Sequence, residues 1–176
     1  MRICFALVAL LAFLPISAAA GTMESAGTDM AVALPLLAGG FALYKNDWTG
    51  VAELTADTLG TVGTAEILKQ VVHERRPNGT DFKSFPSDTA ALAFAPAQFL
   101  WDRYGWEYGV PAYLAAGFVG YSRVHAKEHH WYDVAASAGI SFGFSKLFTT
   151  EYRDNRFDYH VGATTNSFYA SMSYRF

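Results

Sequence analysis

The sequence is built mainly from apolar segments of helical length that are separated by short polar breaks. The segments are rich in alanine and glycine, whereas the breaks carry proline, asparagine and charged residues. In the second segment Leu54, Ile67 and Leu68 are interspersed with Glu53 and Asp57, an amphipathic spacing typical of helices that pack against other helices. The predicted helices cover roughly residues 30–44, 48–73, 87–101, 108–123 and 130–148. The pattern therefore predicts an all-α helical bundle.

The apolar segments leave the relation to a membrane open. Most are shorter than the roughly 20 residues that cross a bilayer upright, although their alanines and glycines allow the close helix approach of membrane bundles. A hydrophobic fraction of 52% lies between the values typical of soluble and of integral membrane proteins. A thin, tilted membrane bundle and a periplasmic bundle both fit, and membrane association is favoured. The net charge of -3 argues against nucleic acid as a partner.

Residues 1–20 have the pattern of an export signal peptide. Arg2 supplies a positive charge, an apolar run follows from Ile3 to Ile16, and small residues end the segment. The short run favours a cleaved signal peptide over an uncleaved membrane anchor. Cys4 is the single cysteine and lies in this segment, so the mature chain would have no thiol and no disulfide. We expect a domain of residues 21–150 on the periplasmic face of a bacterial membrane or in the periplasm.

The last residues, 151–176, change from helical to strand periodicity. Apolar and polar residues alternate from Phe157 to Gly162 and from Phe168 to Phe176, with a turn at Thr165 and Asn166. This alternation predicts a short C-terminal β-hairpin, folded onto the helical body or held as an ordered tail. The terminal aromatic residue leaves an outer-membrane structural protein as an alternative, but one hairpin cannot close a barrel.

The first of three blocks of chemically distinctive residues ends the second helix. Lys69 is followed, after six residues, by Arg76 and Pro77. Arginine offers a planar fork that matches an oxyanion, and lysine acts as a mobile point charge, so the pair is suited to hold phosphate oxygens. Taken alone, the block is also what a solvated basic helix end contains.

The second block runs from Phe85 to Ala90 and opens the third helix, with Ser87 as its cap. The free N–H groups of a helix start, aided by the helix dipole, form an anion site. Plain capping of the helix would use the same serine.

The third block consists of Ser122 and Arg123, then His129 after five residues, then Asp133 after three more. On a helix, residues with the spacing of His129 and Asp133 share a face. A carboxylate there can accept a proton from one ring nitrogen of His129, which fixes the tautomer and leaves the other nitrogen free to attack. A structural histidine–aspartate pair at a helix start has the same spacing.

The order and spacing of the three blocks resemble the signature of the type 2 phosphatidic acid phosphatase (PAP2) family, K-x6-RP, PSGH and SR-x5-H-x3-D. The resemblance covers about residues 69–133 and implies a helical bundle that hydrolyses phosphate esters without a metal or another cofactor. It implies that His129 attacks phosphorus to form a phosphohistidine and that Asp133 orients His129. By the same analogy the phosphate is bound by Lys69, Arg76, Ser87 and Arg123. The partner would be a phosphorylated lipid or a small phosphate ester.

The second block departs from the family pattern, because Pro86, Ser87, Asp88 and Thr89 stand where PSGH is expected. The family's histidine protonates the leaving oxygen. In an ungapped alignment Thr89 takes its place, and threonine is a poor acid. With one deletion Asp88 takes that place, and it could serve as the acid if burial raised its pKa, although nearby cations would lower it. Further candidates for the acid are His73, His125 and His130.

Two interpretations follow from this departure. The first is an active phosphatase in which another group replaces the lost acid, and it is favoured because the nucleophile and the phosphate-binding residues remain. The second is a degenerate family member that binds phosphate or phospholipid without efficient turnover. A vanadate-dependent haloperoxidase shares the site, but the short chain and the missing histidine argue against it.

Overall fold

The computed structural model describes residues 23–152, 157–164 and 167–174, and this part of the chain contains five helices. They are α1 (Met23–Tyr44), α2 (Trp48–Val71), α3 (Asp88–Tyr104), α4 (Trp106–His125) and α5 (Trp131–Phe148). The predicted all-α bundle is confirmed. The predicted signal peptide, residues 1–20, lies outside the described residues, and the division into a 21–150 domain and a 151–176 tail stays a prediction.

The helix ends follow from local chemistry. Asp47 caps α2 by accepting a hydrogen bond from the Gly50 N–H group at 2.9 Å. Gly105 has a φ of 94°, a conformation that glycine adopts at little cost, so α3 ends and α4 begins with one residue between them. The gap between the predicted helices 87–101 and 108–123 is thereby reduced to a single glycine.

Helix α1 begins at Met23, upstream of its predicted start near Met30. The segment before Met30 has the composition of a linker, yet Gly27 is buried against α4. A Cβ atom at Gly27 would lie 1.8 Å from Ser122 Oγ, so the close approach of the two helices requires glycine. Tertiary packing thus extends the helix beyond what its own composition predicts.

Helix α3 occupies the centre of the bundle and packs against each of the other four helices. Its buried side chains are mostly small, namely Ala90, Ala91, Ala93, Ala95 and Ala97, together with Phe94, Phe99 and Leu100. The small side chains allow the neighbouring helices to approach closely around one core. As a result the C-terminal ends of α2 and α4 meet the N-terminal ends of α3 and α5 at one end of the bundle.

In the C-terminal tail, β1 (Phe157–Thr164) pairs antiparallel with β2 (Ser167–Tyr174). Phe157 lies opposite Tyr174, and Thr164 lies opposite Ser167. The predicted turn residues Thr165 and Asn166 are outside the described residues. How the tail relates to the helical bundle stays a prediction.

Among the residues that the structure describes, α1 is the one helix that is long and apolar enough to cross a membrane. Its most apolar window has a mean hydropathy of 1.4, and 33% of that window is buried inside the bundle. Length and composition alone give this property, which core helices of soluble proteins and signal sequences share.

Candidate active site

The end of the bundle where four helix ends meet brings the predicted site residues together. Lys69 lies in the last turn of α2 and contacts Asp88, the first residue of α3, at 2.7 Å. His129 precedes α5, and its Nε2 lies 3.9 Å from Asp88 Oδ1. Asp133 lies in the first turn of α5, and its Oδ2 is 3.6 Å from Nδ1 of His129. Residues from three sequence blocks therefore form one continuous cluster.

His129 is almost completely buried, with 2% of its side chain exposed. Its Nδ1 lies 2.7 Å from the carbonyl oxygen of Ser84. Because a carbonyl oxygen can only accept, Nδ1 must carry the proton of the neutral ring, and Nε2 holds the free lone pair. In the neutral ring, the nitrogen without a proton thus lies on the side of Asp88. An electrophile that this nitrogen attacks would have to lie on the same side.

Asp133 is fully buried and is held by donors from two segments. Its Oδ2 accepts hydrogen bonds from Ser84 Oγ at 2.6 Å and from the main-chain N–H of His130 at 2.7 Å. Burial favours the neutral acid, but these bonds and the adjacent His129 outweigh it and hold the pKa of Asp133 below its usual value. The carboxylate is therefore ionised at neutral pH and lies close enough to His129 to stabilise a positive charge on the ring.

Lys69 and Asp88 form the ion pair next to the free nitrogen of His129. The side chain of Lys69 is only 5% exposed, whereas Asp88 is 39% exposed. Burial raises the pKa of Asp88, but the hydrogen bond and the charge of Lys69 lower it more, so its pKa lies below the usual value. Paired with Lys69, Asp88 is thus a carboxylate and has no proton to donate.

Arg76 joins the loop after α2 to the turn that carries His129. Its Nε donates to Asp81 Oδ1 at 2.8 Å, and its Nη1 contacts Glu128 Oε2. Asn78 binds the same turn, donating from Nδ2 to Glu128 Oε1 at 3.0 Å and from its main-chain N–H to the Lys127 carbonyl at 2.9 Å. These contacts join Arg76 and Asn78 to Glu128, the residue before His129.

Arg123 is 6% exposed and lies near the end of α4. Its Nη2 donates to the main-chain carbonyl of Glu24, and its Nη1 lies 3.9 Å from the Glu24 carboxylate. The main-chain N–H of His129 lies 3.4 Å from the Arg123 carbonyl oxygen. The start of α1 therefore takes part in the site through Arg123.

Ser87 is fully buried at the N-terminus of α3 and caps the helix. Its Oγ accepts from the Ala90 N–H at 3.3 Å, and its main-chain N–H lies 3.4 Å from the Asp133 carbonyl oxygen. A hydroxyl group that accepts one hydrogen bond still has its own proton to donate to an oxyanion. Capping and anion binding are thus compatible at this serine.

The three histidines considered as replacement acids lie in different surroundings. His73 is exposed in the loop after α2, and exposed His125 stacks on Tyr121 with ring centroids 5.8 Å apart. His130 stacks on Tyr132, and its Nδ1 lies 3.4 Å from Asp133 Oδ2. The described contacts of His130 thus lie on the Asp133 side of the site, whereas Asp88 lies beside the free nitrogen of His129.

Glu74, His130 and Asp133 place one ligand atom each within 4.8 Å of one another and could hold a metal ion. Asp133 Oδ2 already accepts two hydrogen bonds, from Ser84 and from the N–H of His130, so a metal ion at this atom would compete with them. The absence of a metal from the proposed chemistry stays a prediction.

Sequence reasoning missed three contacts of this site, those of Ser84, Glu128 and Glu24. Ser84 and Glu24 act through main-chain carbonyl oxygens, which every residue possesses. Glu128 adjoins His129, and this position is its only sequence signal. Hydrogen bonding by the backbone leaves no side-chain signature that a motif could contain.

Comparison with known proteins relates the part of the chain that contains this cluster to one family. The family model described as the PAP2 superfamily matches residues 69–157, about half of the chain. A lipid A 4'-phosphatase of Helicobacter pylori is 33% identical over 153 residues, covering 81% of this chain and 77% of that protein. All the predicted site residues lie within the range that the family model matches.

Two further comparisons extend this finding. A lipid A 1-phosphatase of Porphyromonas gingivalis is 30% identical over 139 residues, and the alignment covers 73% of this chain but 31% of that longer protein. The crystal structure of Aquifex aeolicus LpxE superposes with a TM-score of 0.54 at 21% identity, covering 68% of this chain and 83% of that one. At this identity the structural likeness shows a shared fold.

Proposed function

The chain belongs to the PAP2 superfamily, and we propose that it is a phosphatase that hydrolyses a phosphate group of a lipid A-like phosphorylated lipid. The observation that carries this proposal is the orientation of His129. Its Nδ1 lies 2.7 Å from the Ser84 carbonyl, so the neutral ring carries its proton on Nδ1, and its Nε2, 3.9 Å from Asp88, holds the free lone pair. A buried imidazole with one nitrogen fixed and the other free is the arrangement that a nucleophile requires.

In the first proposed step, Nε2 of His129 attacks phosphorus. A P–N bond forms, the bond from phosphorus to the leaving oxygen breaks, and the ring becomes positively charged. Asp133, ionised and 3.6 Å from Nδ1, stabilises that charge. Phosphoryl transfer depends mainly on positioning and on charge balance, which Lys69, Arg76 and Arg123 would supply to the phosphate oxygens, with Ser87 as a further donor.

The leaving oxygen needs a proton, and Asp88 is the proposed carrier. In the ligand-free site its pKa is low because Lys69 is its partner. A bound phosphate would draw Lys69 away and would bring negative charge next to the carboxylate, and both changes raise the pKa of Asp88. Substrate binding would thereby convert Asp88 into an acid. In the second step water attacks the phosphohistidine, Asp88 accepts its proton, and inorganic phosphate leaves.

A lipid substrate is supported by the relatives and by the surface around the site. The Helicobacter pylori and Porphyromonas gingivalis relatives are described as lipid A phosphatases. Aromatic side chains are exposed around the site end, with Phe82 at 59%, Trp131 at 59% and Tyr132 at 50%. Rings with a polar edge are typical of membrane interfaces. The site would thus face the headgroup region, where a lipid phosphate lies.

Membrane association is supported by the sides of the helices as well. Large apolar side chains there are more than half exposed, namely Leu36, Leu59, Ile67, Leu114, Phe142 and Leu147. Exposed apolar surface of this extent is uncommon on soluble monomers and is suited to lipid chains. Together with the predicted export signal, this exposed apolar surface supports a proposed location on the periplasmic face of the membrane.

Phosphate release by the purified chain in mixed micelles tests the proposal. The panel contains lipid A, phosphatidic acid, a polyprenyl diphosphate and soluble glucose 6-phosphate, and His129→Ala is compared with His125→Ala as a matched control. We expect release from a phosphorylated lipid that is lost in His129→Ala and kept in His125→Ala. Equal release by wild type and His129→Ala would contradict the proposal.

A second function, phosphate binding without turnover, is favoured by one observation. Each predicted phosphate-binding cation already contacts a carboxylate: Lys69 with Asp88, Arg76 with Asp81 and Glu128, and Arg123 with Glu24. A phosphate must displace these partners or share the cations with them. Saturable binding of inorganic phosphate without release from any substrate would establish this function instead.

A further inference from the structure

We infer that Ser84 is a positioning residue that holds both members of the His129–Asp133 pair, one through its main chain and the other through its side chain. The inference rests on the proposed function, because positioning is meaningful only if His129 is the nucleophile. Ser84 lies three residues before the helix cap Ser87 and belongs to none of the three sequence blocks.

The two contacts of Ser84 are short and point in different directions. Its carbonyl oxygen lies 2.7 Å from Nδ1 of His129, and its Oγ lies 2.6 Å from Oδ2 of Asp133. The distance between Nδ1 and the same Oδ2 is 3.6 Å, which is too long for a hydrogen bond. Ser84 thus makes the hydrogen bonds that a direct histidine–aspartate contact would otherwise supply.

Ser84 is itself rigidly held. It is fully buried, and its main-chain N–H donates to the Glu74 carbonyl at 3.0 Å. Glu74 and Lys83 also form an isolated parallel bridge, so the two arms of the loop after α2 are joined next to Ser84. The serine therefore couples the position of this loop to Asp133, which lies in the first turn of α5.

The hydroxyl group of Ser84 has an electrostatic effect that can be measured separately from packing. Asp133 faces His129, His130, Glu74 and Tyr132 as its titratable neighbours. Its second oxygen, Oδ1, is buried and has no hydrogen-bond partner in the described part of the structure. Oδ2 therefore carries the hydrogen bonds that keep the carboxylate charged, and Ser84 supplies one of them. Removing this donor should raise the pKa of Asp133.

The test replaces the hydroxyl group alone, in Ser84→Ala, and leaves the carbonyl contact in place. Loss of a hydrogen bond to a charged group should lower kcat about 10- to 100-fold and change KM by less than about threefold. The acid limb of the kcat profile should move up by roughly one pH unit. Ser84→Thr keeps a hydroxyl and should return the acid limb toward the wild-type position.

A matched control separates positioning from general packing. Ser141 is also fully buried, lies on α5 and donates from Oγ to the Ser137 carbonyl at 2.9 Å, away from the reacting groups. Ser141→Ala should leave the acid limb and kcat unchanged, whatever its effect on the melting temperature. If Ser84→Ala changes only the melting temperature and leaves kcat and the acid limb unchanged, as in Ser141→Ala, then Ser84 is structural and the inference is overturned.

Two NMR measurements do not depend on turnover and so separate this inference from the proposed function. The ¹⁵N shifts of the His129 ring should show a proton on Nδ1 in the wild-type protein. The ¹³C carboxyl resonance of Asp133, assigned with Asp133→Asn, should titrate at higher pH in Ser84→Ala. A proton on Nε2, or an unchanged carboxyl titration, would overturn the inference even if phosphate is released. If no phosphate is released but Nδ1 of His129 carries the proton and the Asp133 titration moves as expected, only the proposed phosphatase function is refuted.

Discussion

Two buried arginines lie at opposite ends of the bundle and differ in how fully their donors are used. Arg103 is 5% exposed. Its Nε and Nη2 each donate to the Asp47 carboxylate at 2.5 Å. Its Nη1 donates to Glu53 and to the Thr150 carbonyl, each at 2.8 Å. Arg123 is buried to the same degree, at 6% exposure, but its carboxylate partner Glu24 lies 3.9 Å away. Saturation of the donors, rather than burial, thus distinguishes Arg103 from Arg123, the arginine for which anion binding is proposed.

The pKa values at the far end follow the same distinction. Hydrogen bonding to Asp47 raises the pKa of Arg103 further. Burial would raise the pKa of Asp47, but the hydrogen bonds from Arg103 and Tyr104 outweigh it and hold this pKa below its usual value. Each partner thus stabilises the charged form of the other. At the site end, the proposed phosphate-binding cations would instead exchange their carboxylate partners for a phosphate group.

The largest expected effect is on stability, from Arg103→Met. Removal of one partner of a buried ion pair leaves Asp47 with an uncompensated charge, which typically costs about 3–5 kcal/mol of unfolding free energy. Urea unfolding of the purified variant, followed by circular dichroism, measures this loss. Activity per folded molecule at low temperature should remain close to wild type. A fall in activity without a fall in stability would show that the two ends are not separable in this way.

The corresponding substitution at the site end, Arg123→Met, should lower kcat more than stability. Loss of one preorganised charge at the reacting phosphate lowers kcat about 10²- to 10³-fold. The cost in stability should be near 1 kcal/mol, because the lost partners are a carbonyl oxygen and a distant carboxylate. Steady-state kinetics and urea unfolding of the same preparation measure both quantities. If Arg123→Met destabilised the fold as much as Arg103→Met, donor saturation would not distinguish the two arginines.

The smallest expected effect is the uptake of a proton by Asp88 when phosphate binds. Although burial opposes it, Lys69 holds the pKa of Asp88 below its usual value, so phosphate binding that recruits Lys69 should raise this pKa and take up as much as about one proton. Titration calorimetry with inorganic phosphate, in two buffers of different ionisation enthalpy, measures the uptake. Asp88→Asn is the control that corrects for the titration of phosphate itself. Equal uptake by both proteins would remove Asp88 as the proton carrier.

The two ends also differ in what could be predicted from the sequence. Lys69, Arg76, Arg123, His129 and Asp133 were predicted as site residues because the order and spacing of their blocks resemble the PAP2 signature, whereas each block taken alone also fits a structural role. The Asp47–Arg103 pair spans 56 positions and has no such pattern. Ser84 was missed for another reason, since half of its contribution comes from a carbonyl oxygen that any residue would provide.

The fold was predicted where composition decides it and missed where packing decides it. Apolar periodicity predicted five helices, and their order is confirmed. The start of α1 was placed too late, because Gly27 becomes helical through its contact with Ser122 and not through its own preference. The same contact places Glu24 beside Arg123, so the least predictable helix end is also the one that reaches the site.

The contact of Glu24 with Arg123 joins residues 99 positions apart and has a bearing on the order in which the protein matures. A chain that enters the periplasm from its N-terminus delivers α1 first, whereas Arg123, His129 and Asp133 arrive among the last helices. Contacts between such distant segments form late in folding, because the long intervening chain must first be ordered. We therefore expect that, in an exported chain, His129 reaches its position beside Ser84 and Asp133 only after nearly all of the bundle has assembled.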